Sequence, residues 1–153
     1  MALDLLQIDD WIKALLLRIS PAERKVVNRK VAFELRRSQA ARIAAQRNPD
    51  GTAYVPRRGH TKNLRSKKGT IKRRAMFARL RTQKYLKVDS DADSMSVEFR
   101  GRAAMIAIVH QYGDDHTASS GQRFITPRRE LLGLTQQELD HIGDSFLKHL
   151  SSD

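Results

Sequence analysis

The sequence contains no cysteine. Disulfides, thiolate catalysis and cysteine-ligated zinc sites are therefore excluded, and the chain suits a reducing compartment. Long apolar runs are missing too. The longest near the start, Ala14 to Leu17, is flanked by Lys13 and Arg18. It is too short for a signal-peptide core and far below the ~20 residues that span a bilayer. A soluble cytoplasmic protein is expected. One segment lacks acidic residues altogether: Gly51 to Val88 holds 13 Lys and Arg and no Asp or Glu. The G-x-S-x-G elbow, the P-loop and the H-E-x-x-H motif are also absent, which leaves little to support an enzyme.

What is present is a chain of 153 residues, 40% hydrophobic, long enough for one sizeable core and short of the length at which chains usually divide. One domain is expected. Its net charge of +12 favours a polyanion or an acidic protein surface as partner. The charge is uneven. Residues 1 to 88 carry 23 basic and 6 acidic side chains, and residues 89 to 153 carry 6 and 11. The positive excess belongs to the first part.

Residues 3 to 19 place Leu5, Ile8, Ile12, Leu15, Leu16 and Ile19 at helical spacing. In "SPAER", Ser20 can cap a second helix, Pro21 fits its first position and Glu23 completes a capping box. This helix runs through Val27, Val31 and Ile43 to "NPDG", about 27 residues in all by spacing and breakers. A mobile basic loop follows at about 50–69. "TIKRRAMFARLRTQKYL" then predicts a third, basic helix capped by Thr70. Met95, Val97 and Phe99 alternate with polar residues as in a half-buried strand, and Tyr85 to Val88 can pair with it across "DSDAD". "RAAMIAIVHQYG" fits a buried strand or helix, and its three alanines and closing Gly113 favour the helix. Asp114 to Gln122 reads as a polar loop, "RFITP" as a short strand, and Thr135 with Glu138 as the capping box of a last amphipathic helix. The expected fold is a single α+β domain: long N-terminal helices, a basic loop and helix, a small antiparallel sheet and a C-terminal amphipathic helix.

Three groups of residues compete for a functional role. The stretch "AIVHQYGDDH" is dense in polar groups, and a metal or hydrolytic site there would use His110, Asp114, Asp115 and His116. No ligand spacing supports that set. A structural role fits better, with His110 at the last turn of an apolar element and Gly113 letting the chain reverse. The second group is basic. Arg57, Arg58, Lys62, Arg65, Lys67, Lys68, Lys72, Arg73 and Arg74 could neutralise phosphates or dock on an acidic protein. Base-stacking aromatics near them are limited to Tyr54 and Phe77, so single-strand readout has weak support. The third group is Leu131, Leu132 and Leu134 around Gly133, just after Arg128 and Arg129. It reads either as packing before a helix or as a subunit interface.

Taken in order, "RNPDGTAYVPRR" (47–58), "KKGTIKRRAMFARLRTQKYLK", "GRAAMIAIVHQYG" (101–113) and "RRELLGLT" (128–135) resemble the virion morphogenesis family of tailed bacteriophages. His110, Gln111, Tyr112 and Gly113 match a signature often written HQFG in that family. Residues 127 to 134 match a pattern PARPFLGL, with Glu130 standing where the pattern has proline. The resemblance implies a non-catalytic assembly protein with no cofactor, acting late at the head-proximal end of a contractile tail and needed for head joining. It implies tail and neck partners: a tail tube or tail terminator, and head-connector proteins. The sixfold symmetry of such tails implies a homo-oligomer, with a hexameric ring in which the 128–134 segment and an N-terminal helix meet between neighbours. The basic segment would face packaged DNA or an acidic neck protein. The rival reading is a free-standing nucleic-acid-binding protein using residues 51–88.

Overall fold

The structure is a computed structural model that describes residues 19–56, 75–117 and 119–151, with the His116 side chain outside that description. The first predicted helix, up to residue 18, and the basic residues from Arg57 to Arg74 lie outside the described residues. The elements are α1 (Pro21–Ala44), β1 (Leu86–Ser90), β2 (Met95–Phe99), α2 (Arg102–Tyr112), β3 (Asp114–Thr117), β4 (Arg123–Thr126) and α3 (Gln136–Leu150). Two two-stranded sheets, β1 with β2 and β3 with β4, accompany the helices, so the fold class is α+β.

The described residues fall into two compact units. One holds the chain up to Leu35, Val88–Val97 and the chain from Gln136; the other holds Arg36–Lys87 and Glu98–Thr135. The helix α1 and the hairpin β1–β2 each contribute residues to both.

In the first unit the capping box forms as the sequence predicts. The Ser20 amide donates to Glu23 Oε2 at 2.8 Å, and the Glu23 amide donates to Ser20 Oγ at 3.3 Å. These bonds hold the Glu23 carboxyl below its usual range. Val27, Val31 and Leu35 then recur on one face of α1, and Met95, Val97, Ile142 and Phe146 pack against them. Full burial of a side chain such as Val31 is worth about 1.5–3 kcal/mol. An exposed pair such as Arg24 with Asp93, 3.1 Å apart, is worth about 0–1 kcal/mol. Apolar burial therefore holds this unit. The DSDAD turn is organised by Asp91, whose Oδ1 accepts the amides of Asp93 and Ser94, both at 2.7 Å. Asn28 of α1 donates to the Asp91 carbonyl at 2.9 Å.

The second unit takes in the last part of α1, from Arg36 onward, and the turn that ends it. The Gln46 amide reaches the Ile43 carbonyl at 3.1 Å and the Arg47 amide reaches the Arg42 carbonyl at 3.2 Å. This is a Schellman ending in which Gln46, at φ 58°, holds the left-handed position that glycine usually takes. The Gln46 side chain offsets the strain. It donates to the Met76 carbonyl at 2.9 Å and accepts the Met76 amide at 2.8 Å, much as a strand partner would.

Two predicted elements are corrected here. The third helix is not formed over its described part: residues 76–85 run as successive turns, closed by Arg81 on Phe77 (3.2 Å) and Tyr85 on Thr82 (3.0 Å). Phe77 adopts φ 64°, which interrupts a right-handed helix and delivers its ring to the core. The polar loop after Gly113 instead opens with the strand β3, which pairs antiparallel with β4 from Asp114↔Thr126 to Thr117↔Arg123. Low strand propensity in "DDHT" is overridden by the partner strand and by a bidentate pair between Asp115 and Arg123, one arm of which measures 2.8 Å. At the start of the segment expected to be a mobile loop, residues 50–56 are tied down. Asp50 accepts from the Thr52 amide at 2.8 Å, Arg47 bridges Ala53, and Tyr54 is buried.

Candidate functional site

The second unit contains one dense polar centre, built on the irregular segment Arg129–Gly133. A buried segment without a strand or helix must find partners for its backbone groups elsewhere. Here side chains supply nearly all of them. The amides of Leu131 and Leu132 donate to Gln111 Oε1 at 2.9 and 3.0 Å, and Gln111 Nε2 donates to the Leu132 carbonyl at 2.8 Å. The Glu130 amide donates to Asn48 Oδ1 at 2.9 Å. Gln39 treats Gly133 as Gln46 treats Met76, donating to its carbonyl at 2.8 Å and accepting its amide at 3.3 Å.

Two arginines close the arrangement. Arg42, in the last turn of α1, donates to the carbonyls of Glu130 (3.0 Å), Leu131 (3.2 Å) and Gly133 (3.3 Å). Arg129 is itself buried. Its amide donates to the His110 carbonyl at 2.7 Å, and its guanidinium donates to the carbonyls of Val55 (2.7 Å), Pro56 (3.2 Å) and Pro127 (3.3 Å). Its Nη1 also lies 3.2 Å from His110 Nδ1. A guanidinium can only donate, so Nδ1 is the accepting nitrogen of that ring.

Apolar groups fill the space between these bonds. Leu131 is completely buried. Phe77 stands edge-on to Tyr54 at 5.8 Å and to His110 at 4.7 Å, geometries that aromatic quadrupoles favour. Burial pushes the Tyr54 phenol up from its usual range, and its hydroxyl donates to the Glu130 carbonyl at 3.2 Å. Two glycines are required by close approach. A Cβ on Gly133 would lie 2.6 Å from Pro49 Cγ, and one on Gly113, at φ 76°, would lie 3.2 Å from the Thr126 carbonyl oxygen.

The sequence-level candidates separate clearly. His110, Gln111 and Gly113 occupy the centre, whereas the Tyr112 ring is exposed. Of the 128–134 segment, Arg129 and Leu131 are buried within the unit, Leu132 and Gly133 are half-buried, and Arg128 and Leu134 reach the surface. Arg57, Arg58, Lys62, Arg65, Lys67, Lys68, Lys72, Arg73 and Arg74 lie outside the described residues. Of the alternative metal set, His110 faces Arg129 and Asp115 pairs with Arg123. Among the described residues no group of three or more His, Cys, Asp or Glu could hold a metal. Sequence reasoning missed Arg42, Gln39, Gln46 and Asn48. Their only signal was polar residues near the end of an amphipathic helix and in the turn after it.

The arrangement is a clasp in which buried and half-buried polar side chains hold main chain. Its parts come from the stretches 47–58, 101–113 and 128–135 and from the end of α1. Among the described residues no helix is long and apolar enough to cross a membrane. The chain is 36% identical over 146 residues to tail completion protein S of Escherichia phage P2, covering 94% of this chain and 95% of that protein. No solved structure matches. The pattern of the phage virion morphogenesis family matches residues 3–151, and the chain belongs to that family.

Proposed function

We propose that this chain is a tail completion protein that acts late in contractile-tail assembly, at the head-proximal end of the tail, and readies the tail for joining to the head. One observation carries the reading. Three of the four stretches that carry the resemblance, 47–58, 101–113 and 128–135, contribute to one clasp, which supports a structural centre as what the resemblance falls on. The role is non-catalytic, because the buried polar groups of that centre are engaged with backbone. Assembly takes place in the host cytoplasm, and the finished protein stays at the junction of tail and neck.

Its partners in this reading are the tail tube or tail terminator and the head-connector proteins, with copies of the chain arranged as a ring. The surface residues Arg128 and Leu134 are the part of the 128–134 segment that can meet a partner. The segment 51–88 faces the DNA channel or an acidic neck protein. Electron microscopy of tails assembled without the protein tests the reading. Irregular tail ends with unjoined heads, restored by the wild-type gene, are expected; normal tails and full infectious yield would overturn it. Replacing Arg57, Arg58, Lys67 and Lys68 by glutamate tests the basic segment, and head joining should be lost.

A further inference from the structure

Two helices carry apolar residues on exposed faces. Helix α2 buries Ala103 and Ala107 and turns Met105, Ile108 and Tyr112 outward, 68%, 53% and 74% exposed. Their spacing of three and four residues makes one stripe opposite the alanines, and Arg102 stands at its beginning. Helix α3 packs Ile142 and Phe146 on its core but leaves Leu139 and Leu147 46% and 57% exposed. Gly143 lies midway between these leucines, and a Cβ there would meet nothing within 4 Å. Asp140 and Asp144 border the same face and are exposed. Apolar stripes on the outside of a soluble domain mark contact sites.

We propose that the α2 stripe of one copy docks on the Leu139–Gly143–Leu147 face of a second copy, head to tail. Charge selects this occupant. The described residues of the unit bearing α2 carry 13 Lys and Arg against 5 Asp and Glu, a net +8. Those of the unit bearing α3 carry 5 against 8, a net −3. A two-fold contact of α2 with α2, or α3 with α3, would oppose like charges. The unlike contact places Arg102 of one copy near Asp140 and Asp144 of the other. Asp140 keeps a bond from Gln136 Nε2 at 2.8 Å, which leaves Asp144 as the principal counter-charge. Gly143 supplies the notch, since helices approach to 8–10 Å when a small residue faces a large one. A contact between unlike surfaces propagates into a ring or a filament.

This inference rests on the assembly reading for its setting and names the contact between copies. A single helix-on-helix contact buries less than the roughly 1,200 Å² of a stable complex, so covalent capture is the proper readout. The absence of native cysteine makes it clean. Differently tagged full-length chains, Met105→Cys and Gly143→Cys, are mixed and treated with a short bis-maleimide, which avoids the strict geometry of a disulfide. The mixed cross-link should form, while neither variant cross-links to itself. It should fall when Asp144→Arg is added to the Gly143→Cys chain and return when Arg102→Asp is added to the Met105→Cys chain. Self-linked Met105→Cys, capture of the stripe by an Ile8→Cys chain, or no cross-link at high protein concentration would each overturn the contact. Asp144→Arg chains that lose the cross-link yet complete tails normally would overturn it as well, while leaving the proposed function standing.

Discussion

Nη1 of Arg129 lies 3.2 Å from Nδ1 of His110, and the same arginine's backbone amide donates to the His110 carbonyl at 2.7 Å. The two residues are thus joined at both main chain and side chain, 19 positions apart. Replacing Arg129 by methionine would strand the carbonyls of Val55, Pro56 and Pro127 as well as the ring nitrogen. Each buried acceptor left without a donor costs about 1–3 kcal/mol. Urea denaturation should show Arg129→Met losing at least about 3 kcal/mol. Arg129→Lys should lose less, because an ammonium donates but cannot match the planar fork. His110→Gln keeps an acceptor and loses the edge contact with Phe77. It should lose about 1–2 kcal/mol and still complete tails. Complete loss of function in that well-folded variant would reopen a chemical role for the ring.

Gly133 is kept by its neighbour. A methyl group there would overlap Pro49 Cγ at 2.6 Å, so Gly133→Ala should destabilise by about 1–3 kcal/mol through overpacking. Pro49→Ala made together with it should restore part of that loss. A double-mutant cycle measured by chemical denaturation checks the coupling, and strictly additive effects would contradict the contact.

Gln46 separates backbone strain from side-chain bonding. Gln46→Ala keeps the left-handed conformation and removes the bonds to Met76. Gln46→Gly removes the same bonds but relieves the conformation. The glycine variant should be more stable than the alanine variant by about 1 kcal/mol, and wild type should exceed both. Thermal melts of the three proteins give the order.

Acid should weaken the turns first. Backbone hydrogen bonds from Asp93 and Ser94 hold the Asp91 carboxyl below its usual range, and the bonds from Thr52 do the same for Asp50. For a carboxyl whose folded pKa is depressed, stability is present above the unfolded value near ~4 and is lost as pH falls through the folded value. Melting temperature should therefore drop on acidification below that range, and Asp91→Asn should flatten the drop. An unchanged acid limb in Asp91→Asn would show that the turn does not contribute.

Much of the fold was legible from local patterns. Ser20 and Glu23 announced α1, Met95 to Phe99 alternated as a strand should, and three alanines with Gly113 favoured α2 over a buried strand. What was not legible depended on distant partners. Phe77 sits in a helical pattern, and only the pocket between Tyr54 and His110 explains why its backbone leaves the helix. "DDHT" has no strand preference of its own, and β3 exists because β4 lies beside it. Arg42 looked like one more charge in a basic chain, and Arg129 like part of an interface. Their bonds follow from carbonyls brought together by folding, which no spacing along the sequence reveals. The family signature reads as structural at His110, Gln111, Tyr112 and Gly113 alike; pattern does not tell that the Tyr112 ring lies at the surface while its neighbours face the clasp.

The way Arg129–Gly133 is held has an evolutionary consequence. The ties of Leu131 and Leu132 to Gln111 reach main-chain atoms, which every residue type except proline supplies alike, so these two side chains can be exchanged while the clasp keeps its grip. The length of the stretch has no such freedom. Deleting one residue would shift each following amide and carbonyl one place away from Gln111, Gln39 and Arg42. Among functional relatives this stretch should hold its count of residues constant, whichever side chains stand at 131 and 132.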